Sequence, residues 1–192
     1  MTWLVVVLVI AVVLVAAALA IPQLRSRSLK QRFGSEYQRL VDEDGDRRSA
    51  EAEMRERVKR RDTSEIHDLE PAAREAYTEE WLAVQQRFID EPGQTVAEAD
   101  GLVQTVMRER GYPVDDFDER IEMVSVDHPE LTENYRVAHA IQLRSEQDEA
   151  TTDDLREAFQ RYRSLFAELL ADGLPHVEAQ RDHDEELPEG GA

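Results

Sequence analysis

The chain contains no cysteine. Disulfide scaffolds, thiol nucleophiles, iron–sulfur clusters and Cys-ligated zinc are therefore excluded, while the redox compartment is left undetermined. His-Glu-x-x-His, Gly-x-Ser-x-Gly and a glycine-rich phosphate cradle are also missing. Metalloprotease, hydrolase-elbow and nucleotide-binding readings thus lack their minimum parts. Strict apolar alternation, the mark of a half-buried strand, is absent apart from a brief run at 123–126. Acids are missing from the first 32 residues, which hold four bases, Arg25, Arg27, Lys30 and Arg32. The rest of the 192 residues carries 19 bases against 42 acids, a net charge of −23. A domain so acidic repels phosphate, and no nucleic-acid partner is expected.

What the amino terminus does have is an unbroken apolar run over residues 3–21, with Arg25 the first charge of any kind. At about 1.5 Å per residue this run spans roughly 28 Å, close to the ~30 Å hydrocarbon core of a bilayer. It is apolar on every side, which suits lipid better than a domain surface. A single transmembrane helix over 1–24 is expected, so that the lipid bilayer is one partner. The four bases follow the span and none precedes it, which places the carboxyl-terminal side in the cytoplasm. The alternative is a cleaved signal peptide, with Ala18-Leu19-Ala20 as a small-x-small site and an extracytoplasmic or secreted product. Against it, only Met1-Thr2 precede the apolar run, and the run exceeds the usual h-region.

Beyond Pro22 the periodicity is helical. Leu29, Phe33, Tyr37 and Val41 form an i, i+4 stripe interrupted by Gly34, and the acidic run 41–46 ends that helix. Over 47–62 the only apolar stripe is Ala50, Met54 and Val58, which predicts an exposed, charge-dense helix supported by pairs such as Glu53–Arg57 and Glu56–Arg60. Residues 25–63 thus read as a juxtamembrane charged connector. An acidic helical bundle is expected over 64–173. Its elements are a helix from Pro71 with Tyr77, Trp81, Val84 and Phe88 flanked by Leu82 and Ile89, then one opened by a Thr95/Glu98 capping box and stopped at Gly111 and Pro113. A short helix over Phe117, Ile121 and Val124 follows. The next has Leu131, Tyr135, Ala138, Ile141 and Leu143 inward, and the last is opened by Thr151 with Asp154. The fold class is all-α, a bundle of about five helices with short turns. The tail 174–192 carries six acids against Arg181 and reads as disordered.

Three constellations bear on chemistry. Asp42, Asp44, Asp46 and Glu53 sit at positions 1, 3, 5 and 12 of a calcium loop, but Arg47 occupies the position that needs glycine, so a calcium-responsive regulator is the weakest reading. His128 and His139 are eleven residues apart, about 16 Å along one helix, and cannot share a metal. No metal and no cofactor are expected. Asp127, Tyr135 and His139 could serve an enzyme of unknown class through general-base chemistry, against a structural reading in which Asp127 caps the helix that Pro129 begins. The basic cluster Arg55, Arg57, Lys59, Arg60 and Arg61 is largely neutralised by Glu51, Glu53, Glu56 and Asp62.

The pattern Tyr77…Trp81…Val84-Gln85…Phe88, Glu98-Ala99-Asp100…Leu102-Val103, Arg110-Gly111-Tyr112-Pro113-Val114 and Asp127-His128-Pro129…Tyr135-Arg136…Ala138-His139 resembles a family of uncharacterised, largely actinobacterial proteins. The resemblance covers roughly 71–170. It implies a single-pass protein with one helical domain, brings no activity, and draws attention to 127–139. The expectation is a non-enzymatic, membrane-tethered interaction module with a protein partner. Its candidate surface is Asp127, His128, Tyr135, Arg136 and His139.

Overall fold

The computed structural model describes residues 2–171, except for the side chains of residues 2, 4–5 and 8–25. The described chain is all-helical: α1 (Thr2–Asp44), α2 (Arg47–Thr63), α3 (Pro71–Arg87), α4 (Pro92–Glu109), α5 (Phe117–Asp127), α6 (Pro129–Ser145) and α7 (Thr152–Ala171). The five helices expected after residue 64 are α3 to α7. Among the described residues no helix is long and apolar enough to cross a membrane. Most side chains of the apolar run, and the whole acidic tail, lie outside the described residues.

The main core gathers one face from each of α3 to α7. Trp81 stacks on Phe159 and Phe166 with centroids 5.1 and 4.6 Å apart, within the range favoured by offset aromatic pairs. Val96, Val103 and Val106 of α4 and Tyr162, Leu165 and Leu169 of α7 close over them, all buried. The anticipated stripes are thus inward, with three exceptions: Leu82, Ile89 and Leu143 are exposed. Leu82 and Leu143 lie at the margins of their stripes, where the helix turns them away from the core, and Ile89 lies in the turn after α3.

Local chemistry sets the boundaries. Thr151 and Asp154 form the expected reciprocal cap: the Asp154 N–H donates to Thr151 Oγ1 at 3.2 Å and the Thr151 N–H to Asp154 Oδ2 at 2.8 Å. The Thr95/Glu98 capping box does not form. Pro92 starts α4 a turn earlier, and Thr95, inside the helix and buried, donates to the Glu91 carbonyl at 2.7 Å instead. Asp127 does not cap α6 either; His128 stands at that position without a side-chain cap bond.

The stretch read as an exposed connector is the larger correction. α1 and α2 form a hairpin joined at Gly45-Asp46, and it packs on α5 and α6. Leu29, Phe33, Tyr37, Leu40, Ala50 and Met54 make a second core with Val126 of α5. Both apolar stripes were thin on their own. Laid against each other and against α5, they enclose one another. Glu53 pairs with Arg57 as expected, whereas Arg60 reaches Glu53 and Glu122 rather than Glu56. The calcium-loop geometry is not formed. Asp46 caps α2 through the Arg48 and Ser49 N–H groups, Asp42 accepts from Gln38, and residues from Arg47 onward are helical.

Candidate functional site

The five residues singled out by sequence lie on or beside α6, and the structure sends them to different places. Asp127, the last residue of α5, accepts from Arg61 Nε at 2.7 Å and from the Tyr112 hydroxyl at 2.7 Å. It thereby joins the end of α2 to the loop after α4. His128 is buried, with its Nδ1 toward Glu168 of α7. Neither is grouped with Tyr135 and His139, which lie two and three turns farther along α6. The proposed Asp127, Tyr135 and His139 constellation is not assembled.

Tyr135 and His139 do come together, in different company. Tyr135 is fully buried and its hydroxyl accepts from Arg120 Nη1 at 2.8 Å. Tyr162 meets it edge-on with centroids 6.2 Å apart. His139, half-buried, stacks on Phe117 at 3.9 Å, and Phe117 in turn packs edge-on against Tyr135. The Asp100 carboxylate completes the group and accepts from Gln104 Nε2 at 2.6 Å. Four helices, α4 to α7, each supply one or more members.

The electrostatics of this cluster keep most of it uncharged. Burial pushes the Tyr135 and Tyr162 hydroxyls well above the ordinary phenol range, and the negative charge of Asp100 adds to both shifts. Arg120 opposes them only in part. Burial lowers the His139 imidazole, against the pull of Asp100. At neutral pH the two phenols are thus protonated and the imidazole is neutral. Such a group specifies how four helices meet. Its phenols can donate hydrogen bonds but cannot act as bases.

Arg136 lies on a third face of α6 and binds Glu36 of α1. Its Nη1 and Nη2 donate to the two Glu36 carboxylate oxygens, each at 2.8 Å. Arg39 also donates two bonds to Glu36, at 2.9 and 2.8 Å, and Arg57 Nη1 lies 3.6 Å away. Glu36 is only 3% exposed. Burial alone would push its carboxyl up, but the Arg136 and Arg39 guanidinium groups outweigh it and hold the group at about 2. Arg57, itself buried, extends the network to Glu53 at 3.1 Å and Glu122 at 3.6 Å. The residue expected on a free surface is thus occupied by the chain's own amino-terminal hairpin.

Arg120 and Glu36 had no signal in the sequence pattern beyond being polar residues beside apolar stripes, while Asp100 and Tyr162 stood in the pattern without any sign of their partners. Each belongs to a helix whose neighbour only the fold reveals. Comparison with protein-family models, with curated proteins and with solved structures finds no match for the chain.

Proposed function

We propose that the protein is a single-pass membrane anchor that holds an acidic helical bundle on the cytoplasmic side and presents it, without catalysis, to a protein partner. The observation that carries this reading is the Glu36–Arg136 bond. α1 leads from the apolar run into the hairpin with a kink at Gly34, and the bond fastens that hairpin to the bundle. A flexible tether would need no such attachment. The acid-free anchor with its four bases supports the orientation, and anchoring raises the local concentration of the bundle for a membrane-associated partner. The −23 charge beyond residue 32 favours a partner with a basic face.

The test combines fractionation with a topology reporter fused after Ala192. The expected result is a membrane-bound chain, solubilised by detergent and not by salt, whose reporter is active only in the cytoplasm. Deleting residues 1–24 should release it. Recovery of the full chain in the soluble fraction, or an extracytoplasmic reporter, overturns the reading. A cross-linked partner should be lost when acids on the bundle surface are neutralised.

A further inference from the structure

We propose that His128, Glu130 and Glu168 bind one divalent transition-metal cation of the zinc class, joining the start of α6 to the last turns of α7. One ligand atom from each of the three lies within 4.8 Å of the other two. His128 Nδ1 is 4.0 Å from Glu168 Oε1, too far for a hydrogen bond. Two ligands around a tetrahedral ion with bonds of about 2.1 Å are separated by roughly 3.4 Å. Separations of up to 4.8 Å therefore need to shorten by about 1.4 Å at most.

Which side chains move follows from their setting. His128 is 4% exposed and its backbone is pinned on both sides. Its N–H donates to the Val124 carbonyl at 2.7 Å, and its own carbonyl accepts from Leu131 N at 3.0 Å and Thr132 Oγ1 at 3.2 Å. The imidazole is thus placed in advance. Glu130 is exposed and Glu168 about half exposed, so both carboxylates can rotate onto the ion without disturbing the core. Asp127, though adjacent in sequence, is not a ligand, because Arg61 and Tyr112 take one each of its oxygens.

The donor set selects the ion. One neutral imidazole and two carboxylates sum to −2, which a divalent cation cancels. The nitrogen ligand favours zinc and its neighbours over the all-oxygen preference of calcium and magnesium. Three protein ligands leave coordination positions for water or for a group from a partner. The sequence pointed away from metal because it set His128 against His139 on one helix; the second and third ligands come instead from Glu130 in the first turn of α6 and from Glu168 of α7.

Full-length protein in detergent, stripped with a chelator, is titrated with Zn²⁺ by calorimetry. One equivalent is expected to bind, with affinity weakened at least tenfold in Glu130→Gln and in Glu168→Gln, and lost in the double variant. Both substitutions lie at accessible positions and keep the side-chain shape, so folding is retained. Zn²⁺ should raise the melting temperature of the unsubstituted chain and not that of the double variant. Absence of binding, or binding unchanged in the double variant, overturns the site and leaves His128 and Glu168 as neighbours only. Equal affinity for Ca²⁺ overturns it as well, since the imidazole would then contribute nothing to the choice of ion.

Discussion

Glu36 and Arg136 lie 100 residues apart in the chain and meet through two parallel 2.8 Å hydrogen bonds, a fork-to-fork pairing of carboxylate and guanidinium. Their surroundings raise the stakes of this pairing. Arg39 and Arg57 also face the Glu36 carboxylate, but Arg39 reaches Glu43 and Arg57 reaches Glu53 and Glu122 as well, so Arg136 is the one of the three with no other acid partner among the described residues.

Glu36→Ala should therefore be strongly destabilising, by about 3 kcal/mol, because it leaves the partly buried Arg136 without its acid and strips one acid partner each from Arg39 and Arg57. Arg136→Met should cost less, since Arg39 and Arg57 still satisfy Glu36. Glu36→Leu combined with Arg136→Met should recover much of the loss, as an apolar pair often replaces a buried ion pair without penalty. Urea unfolding followed by Trp81 fluorescence measures all three. Equal losses in the two single variants would contradict the asymmetry.

Acid should undo the same seam. The Glu36 carboxyl has a folded value of about 2 against 4.5 for the free side chain. A group depressed on folding adds stability that is complete above its unfolded value and is lost as pH falls through its folded value. The arginines facing it, Arg39, Arg57 and Arg136, remain charged throughout. The unfolding midpoint should thus decline between pH 4.5 and 2, and the decline should be shallower in Glu36→Gln. An identical slope in that variant would assign the acid sensitivity to other carboxylates.

Two glycines of α4 and its end offer a paired test of backbone geometry. Gly111 has φ +89°, and a Cβ there would stand 2.5 Å from the Glu65 carbonyl oxygen. The backbone of 65–67 crosses at this point, held by the His67 N–H to Arg110 carbonyl bond at 2.9 Å, so it cannot withdraw. Gly111→Ala should cost about 2 kcal/mol or more. Gly101, inside α4, has open space around the same position, and Gly101→Ala should stabilise by about 0.5–1 kcal/mol. Melting temperatures should move in opposite directions.

These cases also show which parts of the structure the chain announces. Apolar stripes such as Leu29-Phe33-Tyr37 and Tyr135-Ala138-Ile141 are legible because a helix repeats its burial every three or four residues. The Thr151–Asp154 cap is legible because both partners are local. The Thr95/Glu98 pair has the same spelling and fails because Pro92, three residues earlier, begins the helix first. The hairpin's burial is hidden for a different reason. A charge-dense helix looks solvated, and nothing near Arg57 in sequence reveals that Glu36 and Glu122 will surround it. The cluster around Tyr135 was half visible: one helix face displays Tyr135 and His139, whereas Asp100, Arg120 and Tyr162 arrive from three other helices. Pairing across the fold is the information that periodicity does not contain.

Gly34 breaks α1 with φ 51° and ψ −122°, a conformation that side-chain-bearing residues avoid. The break lies between Phe33 and Tyr37, both buried in the hairpin core. A joint gripped on both sides by packing has no play. The angle at which α1 leaves the bundle is thereby set by one pair of dihedrals and stiffened by its neighbours, in the manner of a bracket rather than a cord. Under the anchored reading proposed above, that geometry would hold the bundle in one orientation relative to its anchor rather than let it swing.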